Sequence, residues 1–415
     1  MKKFAVVLFI LMFALPFGVF AIEEPFGEDP LDVGGIKPFI IHERRFEIGI
    51  ANINVHFANN FLSIKDVFQD TVYINLDELS KGFKINIGFD MTPIYFNFKA
   101  KKGYTIGFST DIEGIGILNL SGNMLALNEA SKELSEMSGA VFASVGVNTS
   151  FNVQKFKVKF NPSLFYSLLY VKPPALTYTM SNSNGTILNL GYDLQVYAAV
   201  PLENFGENLS LTAKPGFDFC AGVEYPLAKE IGLTKILPFL DFDVSLDFIN
   251  VPIAASKMYD RMQISGSIGS GSAIDFTRLE DFFDNANGDP VYSNDTEAKV
   301  RRPFKMLLSL DWRPLFGSKL ITITPVFGFC VNELYAEGNR GSIEAGLNGR
   351  LNLANFFIAT LGFNYTNRMH VYSLGLALNV RAFEFNIGAD LRSQDITKSW
   401  TGAGFGLNVG FKFGW

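Results

Sequence analysis

Cysteine and histidine are scarce. The chain has two Cys and three His in 415 residues. Cys220 and Cys330 fall on different expected strands, both on the polar phase. A disulfide needs Cα atoms within about 7 Å, so they are read as two separate buried thiols rather than a bridge. His42, His56 and His370 have no partner at metal-ligand spacing, so no metal site is expected. The glycines Gly266, Gly269 and Gly271 lack the Lys-Ser/Thr and the strand–helix setting of a phosphate loop. No Gly-x-Ser-x-Gly elbow occurs. No cofactor and no enzymatic activity are therefore expected. Basic charge is also short: 35 Lys and Arg stand against 41 Asp and Glu, net −6. This argues against a nucleic-acid partner, which requires a basic face. Beyond residue 20 no run of about 20 apolar residues occurs, so no helix is expected to span a membrane.

Hydrophobicity is nonetheless abundant: 48% of residues are hydrophobic, 14% are aromatic, and 42 are Phe. Met1-Lys2-Lys3 precedes the apolar run Phe4 to Phe20, and Val19-Phe20-Ala21 supplies the residues at the cleavage site. Residues 1–21 read as a cleaved signal peptide. An exported, hydrophobic chain without spanning helices is accommodated in lipid as a closed β-barrel. The expected fold class is all-β, a transmembrane antiparallel up-and-down barrel with a few short loop or lumen helices. The mature length suits about 14–16 strands at roughly 10 membrane residues each.

The last eleven residues, Phe405 to Trp415, alternate strictly. Odd positions are apolar and even positions are Gly, Asn or Lys, which is a strand with one apolar face. Such a strand at a chain end suits barrel closure with one face in lipid. Trp415, Phe413 and Gly410 also resemble the C-terminal signal read by the bacterial barrel-assembly machinery; Val409 departs from that pattern. The resemblance implies an outer-membrane location, with outer-membrane lipid, the assembly machinery and periplasmic chaperones as partners.

Residues 22–44, rich in Pro, Gly and acids, are read as a periplasmic lead-in or a plug segment, and 45–415 as the barrel. Phe46 to Val55 alternates with a phase slip near Ala51, which permits a bulge. Ser63 to Phe68 and Leu76 to Lys81 read as short helices, and 126–137 as another. Residues 83–99 change phase at Pro93. Strands are expected at 104–120, 139–151, 155–171, 187–200, 210–225 and 236–250. Residues 172–186 read as a loop and most of 251–299 as a long extracellular loop. Seven more strands follow at about 301–313, 319–333, 341–353, 356–367, 370–380, 383–393 and 401–415. That makes fifteen, and an even number is expected. Either one strand near 257–268 makes sixteen, or the first run belongs to a plug and leaves fourteen.

Acids on the polar phase cannot face lipid cheaply, at about 2–3 kcal/mol each. Asp241, Asp243, Asp247, Lys305, Asp311, Glu344, Arg350, Glu384, Asp390, Arg392 and Lys412 are therefore lumen-facing candidates. Mixed signs on neighbouring strands suggest ion-pair ladders. Tyr95, Tyr166, Tyr170, Trp312, Tyr365, Tyr372 and Trp415 are read as membrane-interface girdles.

In length, pre-barrel segment, short helices between early strands and Phe-rich walls, the chain resembles the long-chain fatty acid transporter class and its relatives in spirochaetes. That resemblance implies transport of small or hydrophobic nutrients such as fatty acids, with a lumen plug and a wall kink; Pro162 and Pro325 are candidates for the kink or are tolerated strand irregularities. The alternative is an adhesin or structural barrel that binds a partner through 251–299.

Overall fold

The structure is a computed structural model. It describes residues 45–60, 82–100, 104–120, 133–173, 176–181, 187–203, 210–270, 290–315, 318–354, 356–380, 382–394, 396 and 404–414. Residues 1–44, the two helices expected within 61–81, and Trp415 lie outside them.

Fourteen antiparallel strands close into a barrel. In wall order they are β1 (Phe46–Asn59), β2 (Phe83–Lys99), β3 (Thr105–Leu120), β4 (Glu133–Val153), β5 (Phe156–Val171), β8 (Gly216–Tyr225), β9 (Asp241–Ala254), β14 (Phe304–Arg313), β15 (Ile321–Val331), β16 (Gly341–Leu353), β17 (Phe357–Thr366), β18 (Met369–Val380), β19 (Phe383–Ser393) and β20 (Gly404–Gly414). β20 pairs with β1 over Glu47↔Gly414 to Phe57↔Phe405, so no sheet edge is left open. Among the described residues no helix is long and apolar enough to cross a membrane.

The number fourteen has a different cause from the one expected. The first run is not a plug, because β1 stands in the wall between β2 and β20. The strand left out of the closed wall order is β7 (Ile187–Ala198), which meets the wall only at the end of β5, over Leu169↔Ala198 to Val171↔Val196. It pairs with β6 (Leu176–Ser181) and, along its whole length, with β11 (Asp260–Ser270). β6 also meets the start of β4, and β12 (Val291–Ser293) extends the set from β11. These strands form an accessory sheet beyond one rim. The strand sought near 257–268 thus exists, but above the wall. Its presence corrects the reading of 251–299 as mostly irregular, and β6 corrects that of 172–186 as a loop. β10 (Ser256–Met258) and β13 (Ala298–Val300) add a separate two-stranded pair.

Two further expectations change. Residues 133–137 are strand, not helix: β3 holds them from Asn119↔Glu136 onward and β6 pairs beyond. Cross-strand pairing outweighs a weak helical pattern. The wall strand expected from 236 starts at Asp241, preceded by two single-turn helices, α1 (Leu227–Glu230) and α2 (Leu233–Ile236). The phase slips do fall where the sequence places them, with register shifts at Ile50/Ile53 and Met91/Ile94. Neither Pro162 nor Pro325 marks one: Pro162↔Phe219 and Pro325↔Leu347 sit in unbroken stretches of their ladders with β8 and β16.

The two rims differ. β1 begins and β20 ends at one rim, where the connections at 154–155, 354–356 and 381–382 are tight. Gln154 and Ala354 take positive φ there. The other rim carries the accessory sheet and the loop 332–340. The faces also differ. On β20, Phe405, Leu407, Phe411 and Phe413 are exposed, while Gly406, Asn408, Gly410 and Lys412 are buried. The wall is apolar outside and polar inside, the inverse of a soluble sandwich.

Candidate functional site: the closed lumen

On β3, β4 and β5 the inner face changes character along each strand. Toward the short-turn rim it carries Ser109 and Asp111, Ser144 and Asn148, and Lys159, Asn161 and Ser163. Toward the long-loop rim it carries Ile115 and Ile117, Ala140 and Phe142, and then Phe165. These apolar residues pack with Tyr197, Met258, Val300, Leu334 and Tyr335 in one buried cluster. All five come from beyond the wall strands: β7, β10, β13 and the loop 332–340. The rim segments therefore fold back and fill this end of the lumen. Burying such side chains contributes about 1.5–3 kcal/mol each.

The loop 332–340 crosses the mouth. The Ala336 amide donates to Glu136 Oε1 on β4 at 3.1 Å. The Tyr335 hydroxyl donates to the Asn367 carbonyl at 3.4 Å, and the Arg368 guanidinium lies 4.2 Å from the Tyr335 ring centroid. Asn367 and Arg368 form the β17–β18 turn. From β4 to β17 the wall passes six strands in either direction, so the loop ties opposite sides of the barrel. Asn367 and Arg368 both have positive φ, a conformation costly for Arg. Glu344 stabilises the turn by accepting from the Asn367 amide at 3.0 Å and from the Thr366 hydroxyl.

Below the apolar layer, Arg302 spans the lumen from the foot of β14. Its guanidinium donates to Asp218 on β8 at 2.6 and 2.8 Å, to Ser144 on β4 at 3.1 Å, and to Ser163 on β5. Glu113 on β3 lies 3.8 Å away. A fork with several carboxylate and hydroxyl acceptors suits Arg and no other side chain. Its neighbour Arg301 pairs with Glu333 at 2.7 Å, joining this strut to the crossing loop.

The eleven lumen candidates distribute as follows. Asp241 and Asp243 both meet Arg313, at 3.3 and 2.7 Å. Asp247 meets Lys159 at 3.7 Å. Asp311 accepts from Thr324 at 2.6 Å and faces Asp243 in register. Asp390 and Arg392 pair along their own strand. Glu384 accepts from Asn379 at 2.9 Å and stands opposite Lys412, whose ammonium lies 5.5 Å from the Tyr95 ring centroid. Lys305 lies opposite Ile249 and Cys330, and Arg350 is half-buried opposite Thr322. Glu344 is the one that braces the β17–β18 turn under the crossing loop. Of the terminal signal, Gly410 is buried and Phe413 faces outward. Tyr95 is not a girdle residue: it is buried and its hydroxyl donates to Glu47 at 2.7 Å. Tyr166 and Tyr170 pack against the lumen cluster rather than forming a girdle. The phase change at Pro93 explains Tyr95, since it turns odd positions inward. Neither Cys220 nor Cys330 forms a disulfide, and both are buried; Cys220 Sγ accepts from the Asn250 backbone amide at 3.4 Å.

Arg302, Glu136 and Tyr335 were not legible as site residues. Arg302 falls within the expected strand 301–313 but off the polar phase that holds Lys305 and Asp311, and Tyr335 lies in a loop. Asp218 and Glu113 do lie on the polar phase of their strands, and that signal was available.

No protein-family model matches the chain, and no curated protein does. Among solved structures, the toluene transporter TodX of P. putida aligns over 89% of this chain and 89% of its own at 8% identity, with a TM-score of 0.47. The translocator domain of the autotransporter NalP from Neisseria meningitidis aligns over 90% of each chain at 8% identity and a TM-score of 0.32. The outer membrane protein opdK from Pseudomonas aeruginosa aligns over 89% of this chain and 97% of its own at 10% identity and a TM-score of 0.23.

Proposed function

We propose that this chain is a gated outer-membrane transporter for small, largely apolar solutes, exported by a signal peptide over 1–21 and assembled through its last strand. The short-turn rim faces the periplasm and the long-loop rim faces outward, the usual asymmetry of such barrels. The observation that carries the reading is the filled outer mouth. A permanently open pore has a polar, hydrated inner face. Here the outer part of that face is apolar and is occupied by the barrel's own rim segments. An apolar solute replaces those contacts in kind, so its binding lowers the cost of opening.

The test is uptake of labelled oleate by a diderm host lacking its own carrier. Glu136→Cys/Ala336→Cys joined by a short bis-maleimide tethers the loop to β4. Uptake that falls to background on tethering, and persists in the untethered variant, supports the gate. If no solute is taken up while cells bind a partner through 251–299, the chain is an adhesin and the transport reading fails.

A further inference from the structure

The short-turn rim has one long connection. Residues 226–240, between β8 and β9, hold the single-turn helices α1 and α2 and an apolar series, Ile231, Ile236, Leu237 and Phe239. All of these are exposed. Ile231 is 62% exposed and Ile236 77%, the most of any large apolar side chain among the described residues. None of them packs into a buried cluster. Exposed apolar groups gathered in one short segment mark a surface that something covers.

The contacts of the segment fix where it lies. It enters from Tyr225, the last residue of β8, whose ring stacks on Phe156 of β5 at 4.7 Å. It leaves past Phe239, whose carbonyl accepts from the Trp312 indole of β14 at 2.8 Å. Phe156, Tyr225 and Trp312 all stand on the outward phase of their strands. The polar members of α1 are engaged at the rim itself: Lys229 reaches the lumen-facing Asp241 at 3.7 Å, and Glu230 pairs with Lys155 of the β4–β5 turn. Both ends of the segment therefore hang from aromatics on the outer wall, and its apolar series continues the lipid-facing surface. Aromatics at the end of a lipid-facing wall sit at headgroup level. Cations stand beside the series. Lys235 is exposed within α2, and Lys319 is exposed in the next connection along the rim, next to exposed Leu320. Neither makes an ion pair with a described residue. Apolar segments bordered by lysines lie in the membrane interface, with apolar groups toward the acyl chains and ammonium groups toward phosphate.

We infer that residues 226–240 form a shelf seated in the headgroup layer of the adjoining phospholipid leaflet. Ile231, Ile236, Leu237 and Phe239 lie below the phosphates, and Lys235 engages an anionic headgroup. The inference does not depend on transport. The orientation proposed above only names the leaflet as the periplasmic one.

The test places an environment-sensitive NBD probe on Ile236→Cys, in a Cys220→Ala/Cys330→Ala background, with the full chain reconstituted into vesicles of phosphatidylcholine and phosphatidylglycerol. The same probe on Leu374→Cys, on the outer wall, marks lipid and shows that the barrel is inserted. On Asp295→Cys, beyond the long-loop rim, it marks water. A nitroxide on the lipid headgroup quenches the probe at 236 strongly, and aqueous iodide quenches it several times less than at 295. Native mass spectrometry reads the lipids retained by the unlabelled barrel. Lys235→Gln lowers the preference for phosphatidylglycerol over phosphatidylcholine about fivefold, the size expected of one lysine at an anionic surface. Iodide access at 236 equal to that at 295 overturns the proposal and leaves the segment to a soluble protein partner. Quenching at 236 only by a nitroxide deep in the acyl chains, as at 374, overturns the placement in the headgroup layer. A lipid preference unchanged in Lys235→Gln overturns the role given to that lysine.

Discussion

Arg302→Ala leaves Asp218 buried beneath the apolar layer without its guanidinium. Removing one partner of such a pair costs about 3–5 kcal/mol, whereas the exposed pair Lys257–Glu297 is screened by solvent and contributes little. Denaturant midpoints of the two alanine variants in detergent check the contrast: Arg302→Ala shifts strongly and Lys257→Ala hardly at all. The two faces of the wall make a second contrast. Leu374 on β18 points outward and Thr360 on β17 inward, by the alternation of their strands. Leu374→Arg costs about 2–4 kcal/mol near mid-bilayer. Thr360→Arg costs less, because its charge meets a polar lumen. The yield of heat-modifiable barrel on refolding reads out both. At this scale the sequence was informative wherever alternation ran unbroken: Asp247 and Lys412 are inside because their neighbours are outside. It was silent on Arg302, whose role depends on four strands that only the closed barrel brings together.

Among elements, the accessory sheet has a carboxylate at its centre. Asp193 on β7 accepts from Gln263 and Ser265 of β11, each at 2.7 Å, and from Gln195 at 2.9 Å. Partial burial pushes its pKa up, but these hydrogen bonds outweigh that and hold it below the ordinary 3.8. A lowered carboxyl pKa contributes stability that is present above the unfolded value and is lost as pH falls through the folded one. Amide exchange in 260–270 therefore rises relative to that of the wall below about pH 4, and Asp193→Asn abolishes that pH dependence. Strand existence was largely legible, but strand membership was not. β7 alternates as the wall strands do, because both kinds pack one face and solvate the other. Only long-range pairing with β11 places it above the rim. The start of β4 failed for a related reason: Glu133 to Met137 has a polar, helix-compatible composition that pairing on both edges overrides.

The whole molecule is a lipid-facing wall around a lumen that its own outer segments close. Wall, closure and rim asymmetry follow from period-two patterning and connection lengths, which sequence carries openly. The closure of the mouth does not, because its parts lie far apart in the chain: Glu136 and Ala336 meet across 200 residues. On the proposed reading these outer segments, and not the wall, set whether the lumen conducts. The decisive measurement is the ionic conductance of the full chain in planar bilayers, wild type against Arg302→Ala/Tyr335→Ala. The wild-type barrel is expected to stay closed for most of the record, and the variant to open frequently with at least severalfold higher mean current. Equal conductance in the two, whether both open or both silent, would contradict that reading.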